Sequence, residues 1–296
     1  MPGETTTGSL SGALDTIIAD ARVIKEMEHP GSWERTCDVR RFKKGAGVDW
    51  IQYMLNKISA SDITETTRNE NFQTFSGTLL TITPAMSQIA VKITDRTYRR
   101  LASIVIDKMG TAAGRAMERK KDEDYLDLFS TFATGASPGT GNPLASGHIG
   151  AAVSRIQSNT TEPSSAVINS ILHGYHIKDV ADELIAGLGT YTVPVGLTEE
   201  VFRRGFAGTV AGSNVLRNDH IAIDSTPDAK SATHAKEGVL AIIGMEIKKE
   251  TRRDPSYGGG ADEIFLTDEY GFGEALSGTT QVWAYLHQAD ATAPTS

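Results

Sequence analysis

Residues 95–134 read DRTYRRLASIVIDKMGTAAGRAMERKKDEDYLDLFSTFAT. The stretch contains no proline, and its only glycines are Gly110 and Gly114. Leu101, Ile104, Val105, Met109, Ala112 and Ala116 recur at helical steps, and Tyr125, Leu128, Phe129 and Phe132 form a second stripe. Thr94 or Asp95 can cap the start. The spacing predicts one helix over the whole stretch, about 60 Å long at 1.5 Å per residue. That is far longer than the average helix of a globular protein. Between the stripes, residues 118–124 are all charged and read as a solvated turn of the helix. A Gly/Pro/Ser-rich loop at 135–147 ends it.

Upstream, the pattern is different. In residues 36–93, Val39, Trp50, Ile82, Ile89, Val91 and Ile93 lie among Thr, Asn, Gln and charged residues. Gly45, Gly47, Gly77 and Pro84 punctuate them, which predicts extended structure. Residues 61–76 hold only Ile63, Phe72 and Phe75 as large apolar side chains, too few for a core of their own. Trp50, Tyr53, Phe72 and Phe75 therefore stand as candidate contacts to a neighbouring molecule; the alternative is that they fold back on their own domain. Farther upstream, Leu10, Leu14, Ile17, Ile18, Ala21, Ile24 and Met27 make one helical stripe, stopped by Pro30-Gly31.

Downstream, residues 148–235 read as a compact α/β module. Ile149, Ala152, Val153 and Ile156 predict a helix capped by Ser146, residues 166–172 a strand, and Ile177, Val180, Leu184 and Leu188 a second helix. Residues 214–223 predict another strand. Residues 239–250 are extended, 254–260 form a Pro/Gly turn, 263–276 return, and 281–288 close the chain.

The totals exclude several classes. With 296 residues, 39% hydrophobic and 22% charged, the chain can bury a core and is not of disordered composition. The longest apolar run, residues 239–245, falls far short of the roughly 20 residues a membrane span needs. Residues 1–20 carry no Lys or Arg, so no signal peptide is expected. A single cysteine, Cys37, permits no intrachain disulfide and no Cys-based metal cage. The net charge of −8, from 29 basic and 37 acidic residues, argues against a phosphate-clamping function.

No convincing active site is legible, and no cofactor or metal is expected. Gly135-Ala136-Ser137-Pro138-Gly139 matches Gly-x-Ser-x-Gly, but a nucleophile elbow joins a strand to a helix, whereas this motif follows a predicted helix within a loop. His173 and His176 lack a third ligand at metal-site spacing. Gly258-Gly259-Gly260 is a turn, not a phosphate loop.

The order of these pieces resembles the major capsid proteins of tailed bacteriophages, whose architecture is the Hong Kong 97-type fold. The resemblance runs from about Leu10 to Gln288 and rests on colinear phrases. They are residues 45–50; Leu80-Thr81-Ile82-Thr83-Pro84; Val91-Lys92-Ile93-Thr94-Asp95; residues 110–124; 168–184 with Leu172-His173-Gly174-Tyr175; 206–214; 238–254; and Tyr270-Gly271. It implies an α+β fold with an N-terminal arm at 1–36 and an extended loop at 37–90. A peripheral domain would comprise 91–147 and 236–296, with its spine helix at about 95–134, and an α/β axial domain 148–235.

The resemblance further implies a non-enzymatic coat protein, assembled in the host bacterial cytoplasm into pentamers and hexamers. These would form an icosahedral head shell around double-stranded DNA, without sequence-specific binding. Portal and decoration proteins are implied partners. Because Met1 lies a few residues before the arm helix, a separate scaffolding protein is expected. Some relatives crosslink through a loop lysine; Lys57 matches by residue type only. Other readings stay open at this level: an encapsulin-type compartment shell, a minor virion protein, or an esterase built on Ser137.

Overall fold

The computed structural model describes residues 31–43, 47–55, 58–60, 62, 72, 74, 77–100, 103–132, 137–159, 163–187, 208–257, 259–276 and 283–294. The expected arm helix at 10–27 lies outside them. The described chain opens with a helical turn, α1 (Trp33–Thr36), then β1 (Asp38–Arg41), a hairpin of β2 (Trp50–Leu55) and β3 (Gly77–Ile82), and β4 (Ala85–Thr94). Helices α2 (Asp95–Arg100) and α3 (Ser103–Asp127) follow, with a 3-10 turn at Leu128–Thr131. Next come α4 (Ser146–Gln157), β5 (Ile168–Leu172), α5 (Gly174–Gly187), β6 (Thr209–Val210), β7 (Ser213–Arg217) and β8 (Asp228–Ala235). The long strands β9 (Val239–Asp254) and β10 (Ala261–Glu274) precede β11 (Ala284–Asp290).

The predicted spine is thus present as two described helical pieces. The Thr94 hydroxyl accepts the Thr97 N–H at 3.3 Å, capping the first piece. Its C-terminal half is the joint of the molecule. Tyr125, Leu126, Phe129 and Phe132 share one core with Trp33, Cys37, Ala241 and Ile243 on one side and Ile171, Ala232 and Leu286 on the other.

The charged run does not behave as a solvated turn. Lys121 and Asp122 are buried, while Glu118, Arg119, Lys120 and Glu123 are exposed. A helix that crosses two sheets turns some of its charged positions inward, and those positions must find partners. Lys121 Nζ pairs with buried Asp268 at 2.5 Å and with Glu118 at 3.1 Å. Burial opposes the Lys121 charge, yet its bonds to Asp268 and Glu118 hold its pKa above the ordinary lysine value. Asp122 accepts the Ser32 N–H at 2.7 Å, the Ser32 hydroxyl at 3.2 Å and the Asn218 amide at 2.5 Å, with His220 Nδ1 at 3.1 Å.

The first sheet has the order β1-β9-β10-β4. Residues 239–243 of β9 are all buried, because Val239, Ala241 and Ile243 pack into the core of the joint while Leu240 and Ile242, on the other face, pack into the core under Ile82. That double cover explains their continuous apolar run. Pairing with β1 stops at Arg41 opposite Ile243, and from Glu246 the strand becomes charged and exposed. Thr267 faces Lys248, Glu269 faces Met245 and Tyr270 faces Ile243, so extra residues enter β9 at this point. Such bulges bend a strand. Beyond the bend, Ile89, Val91 and Ile93 share one face with Ile264 and Leu266. On the opposite face Lys92 bridges Asp254 and Glu263, each at 3.0 Å.

The second sheet has the order β11-β8-β5-β7-β6, with β5 and β7 parallel. Ile149, Ala152, Val153 and Ile156 of α4, together with Val180 of α5, pack into one core with Ile168, Leu172, Val215 and Tyr285. Ser146 does not cap α4. Ala145 occupies the cap position and supplies no side-chain bond. The Ser146 N–H instead donates to Glu183 of α5 at 2.5 Å, so a neighbouring helix satisfies the helix start. Sheet membership also departs from the expected division at 236. β11 pairs along its full length with β8, which places Ala284–Asp290 in the sheet of the 148–235 module.

Cys37 lies in the joint with no exposed surface. Burial pushes its thiol well above the ordinary range, against the lowering effect of its Thr36 and Tyr125 contacts. A disulfide-exchange reagent is therefore expected to label Cys37 only after unfolding. Rapid stoichiometric labelling of the folded chain would contradict this burial.

Candidate assembly surface

The β2–β3 hairpin has two unlike faces. In its register Trp50 faces Ile82, Ile51 faces Thr81, Gln52 faces Leu80 and Tyr53 faces Leu79. Directly paired residues share a face, so Trp50 and Ile82 lie on one side and Ile51, Tyr53 and Leu79 on the other.

The first face sits on its own chain. Ile82 is buried with Leu240, Ile242 and Ala275, and Trp50, Leu80 and Phe42 pack against that core. The Trp50 ring meets Phe42 edge to face, with centroids 5.7 Å apart. Two glycines of β10 create the seat. A Cβ on Gly273 would stand 2.6 Å from Ile82 Cδ1, and one on Gly271 would stand 3.1 Å from Ile82 Cγ2. The Thr83 hydroxyl donates to Asp49 at 2.6 Å and ties the base of the hairpin.

Trp50 is therefore half-buried against its own chain. The glycine-floored seat under the neighbouring strand draws it inward, and nothing local in the sequence signals that seat. The opposite face is bare. Ile51, Tyr53 and Leu79 are 60%, 55% and 56% exposed, and Phe72 is 90% exposed. Phe75 and Lys57 lie outside the described residues. Ile51 and Leu79 went unnoticed in the sequence because only strand pairing puts them beside Tyr53.

The other sequence candidates sit apart from one another. Ser137 lies between the 3-10 turn and α4, no strand among the described residues leads into it, and its carbonyl faces His287 at 3.3 Å. His173 Nδ1 accepts the Tyr175 N–H at 3.2 Å. His176 is buried between the Ser231 hydroxyl, at 2.7 Å, and the Ala289 carbonyl, at 3.2 Å. A groove of about 490 Å³ beside the end of α3 is lined by Glu123, Asp127, Asp224 and Asp228 with Lys230 and His220; Ser137 lies elsewhere. Among the described residues no group of three metal-ligating side chains converges, and no helix is long and apolar enough to cross a membrane.

No family model matches the chain, and no curated protein matches it in sequence. Its three-dimensional structure matches widely. A chain of the cyanophage P-SCSP1u capsid superposes with a TM-score of 0.68 at 11% identity, over 92% of this chain and 91% of that one. A chain of the Helicobacter pylori bacteriophage KHP40 head gives 0.69 at 11% identity, over 92% and 95%. One of the acid-stable capsid of bacteriophage KHP30 gives 0.66 at 13%, over 98% and 100%. This is a phage-capsid fold. In Hong Kong 97-type terms, α2 and α3 form the spine, β9 and β10 the long strands beside it, and the β2–β3 hairpin the base of the extended loop.

Proposed function

We propose that the chain is the major capsid protein of a tailed phage, a tile that joins into pentamers and hexamers of an icosahedral head shell around double-stranded DNA. End-to-end coverage carries this reading: the similar chains come from phage capsids and heads, and up to 98% of this chain aligns with them. The bare apolar face of Ile51, Tyr53 and Leu79 supports it, since such a face is stabilised when a second copy covers it. Contacts of this kind between identical tiles are head-to-tail and close into rings.

In this reading residues 1–36 are the arm and 37–90 the extended loop. The peripheral domain is 91–147 with most of 236–296, and the axial domain is 148–235 joined by β11. The tile carries no catalysis, its place is the virion, and it is made in the host cytoplasm. A scaffolding protein, a portal and a decoration protein are its expected partners. The test is to express the chain alone and with its neighbouring head genes, followed by negative-stain microscopy and sedimentation. Closed shells of uniform diameter are the expected product. Free subunits under both conditions would refute the reading, and shells that enclose an enzyme cargo would assign the chain to a compartment instead.

A further inference from the structure

Two buried histidines each end a row of hydroxyl groups. Across the second sheet, one polar side chain from each of four neighbouring strands falls in line. Ser213 of β7 lies 2.9 Å from Ser170 of β5, Ser170 lies 2.7 Å from Thr233 of β8, and Thr233 lies 2.9 Å from His287 Nε2 on β11. His287 Nδ1 stands 3.3 Å from the Ser137 carbonyl, which can only accept. In the neutral ring the proton is therefore on Nδ1, and Nε2 accepts from Thr233. The second row crosses the joint. The Thr36 hydroxyl lies 2.9 Å from the Tyr125 hydroxyl, which lies 2.6 Å from His234 Nε2. His234 Nδ1 stands 2.9 Å from the Ala235 carbonyl, so its Nε2 is again the acceptor. Every side chain in both rows is at most 1% exposed.

The far end of each row has a second acceptor. Ser213 Oγ lies 3.0 Å from the Val210 carbonyl, and Thr36 Oγ1 lies 3.0 Å from the Ser32 carbonyl. A hydroxyl both donates and accepts, so such a row can point either way. Pointing toward the ring, it satisfies a neutral imidazole. Pointing away, with a solvent-derived proton on Nε2, each O–H rotates to the next oxygen and the last donates to the carbonyl. No hydroxyl gains or loses its own hydrogen.

We infer that Ser213–Ser170–Thr233 and Thr36–Tyr125 are reversible hydroxyl rows, whose reorientation lets His287 and His234 each hold a second proton inside the fold with every donor still matched. His176 is the contrast. Its Nε2 faces the Ala289 carbonyl and its Nδ1 faces Ser231, whose oxygen already accepts the His173 N–H at 3.2 Å and whose hydroxyl makes no further hydrogen bond among the described residues. Protonation there strands a donor.

Surrounding groups set how far the rows help. His148 and His176 face His287, and both oppose a second positive charge. Around His234 and Tyr125 stand the Cys37 thiol and the Asp122 carboxylate, with Lys236 facing Cys37. Burial holds both of these histidines down to about 4. A folded pKa below the unfolded value means that stability is complete above about pH 6.5 and declines as pH falls toward 4. The rows limit that decline.

Ser213→Ala and Thr36→Val each remove the terminal hydroxyl. At pH 8 the inner bonds remain and melting should change little. In acid the next O–H in line loses its acceptor, so the pKa of the linked ring should fall by about one further unit, and the acid-unfolding midpoint should rise. Stability profiles that run parallel to the parent from pH 8 to pH 4 would overturn the inference. Histidine 15N shifts of the unsubstituted chain at pH 8 test it without any variant. The Nδ1–H tautomer is expected for both rings, and an Nε2–H tautomer at either would refute that row. Neither readout depends on shell formation, so failure here leaves the capsid reading untouched.

Discussion

Replacing Tyr53 and Leu79 together by serine is expected to abolish shell formation while leaving the melting temperature of the unassembled subunit almost unchanged. The two residues face each other across the hairpin and, with Ile51, make its bare face. More than half exposed, they contribute little to the subunit alone. Covered by a neighbour, each side chain stabilises a contact by roughly 1.5–3 kcal/mol, and every subunit of a ring loses that contact at once. Sedimentation should show particles replaced by capsomers or free subunits. Trp50→Ala separates the two faces of the hairpin: because Trp50 packs on Phe42 and the core under Ile82, it should lower subunit melting as well. Wild-type particle yield from the double serine variant would mean that this face is not buried in the shell.

Asp122→Ala is expected to destabilise the subunit by roughly 3 kcal/mol or more, since each buried donor left without a partner costs about 1–3 kcal/mol. The carboxylate has no exposed surface and takes the Ser32 N–H, the Ser32 hydroxyl and the Asn218 amide from segments far apart in the chain. For a chain of this size the melting temperature should drop by on the order of 10 °C. Glu123→Ala is the matched control. Next in sequence and alike in charge, Glu123 is half exposed and pairs only loosely with Arg119 at 3.7 Å, so its loss should stay within about 0.5 kcal/mol. Equal shifts in the two variants would show that Asp122 does not anchor the joint.

That contrast also marks how far the sequence could be read. The spine was legible because a 3.6-residue period survives whatever packs against it. The pair β9 and β10 was legible because a Pro/Gly turn separates two runs of strand-forming residues. The inward turn of Lys121 and Asp122 was not, since their partners Asp268, Ser32 and Asn218 are distant in sequence. β11 looked like the end of the long-strand region because β-pairing choice leaves no local trace. For the candidate surface, the aromatic excess of the loop was visible, and Tyr53 stands on the exposed face of the hairpin. The direction of Trp50 depends on the space above Gly271 and Gly273 in another strand, which no local pattern encodes.

The parallel pairing of Asp38–Arg41 with residues 240–243 sets a schedule for the chain's production. A ribosome adding about 5–20 residues per second needs about 10–40 s to travel from the first partner to the second. During that interval the early strand and the hairpin beyond it have no sheet to join. Contacts this remote in sequence also make folding slow. The first sheet therefore closes only after residue 243 has been made, so its completion comes late in synthesis by topology alone.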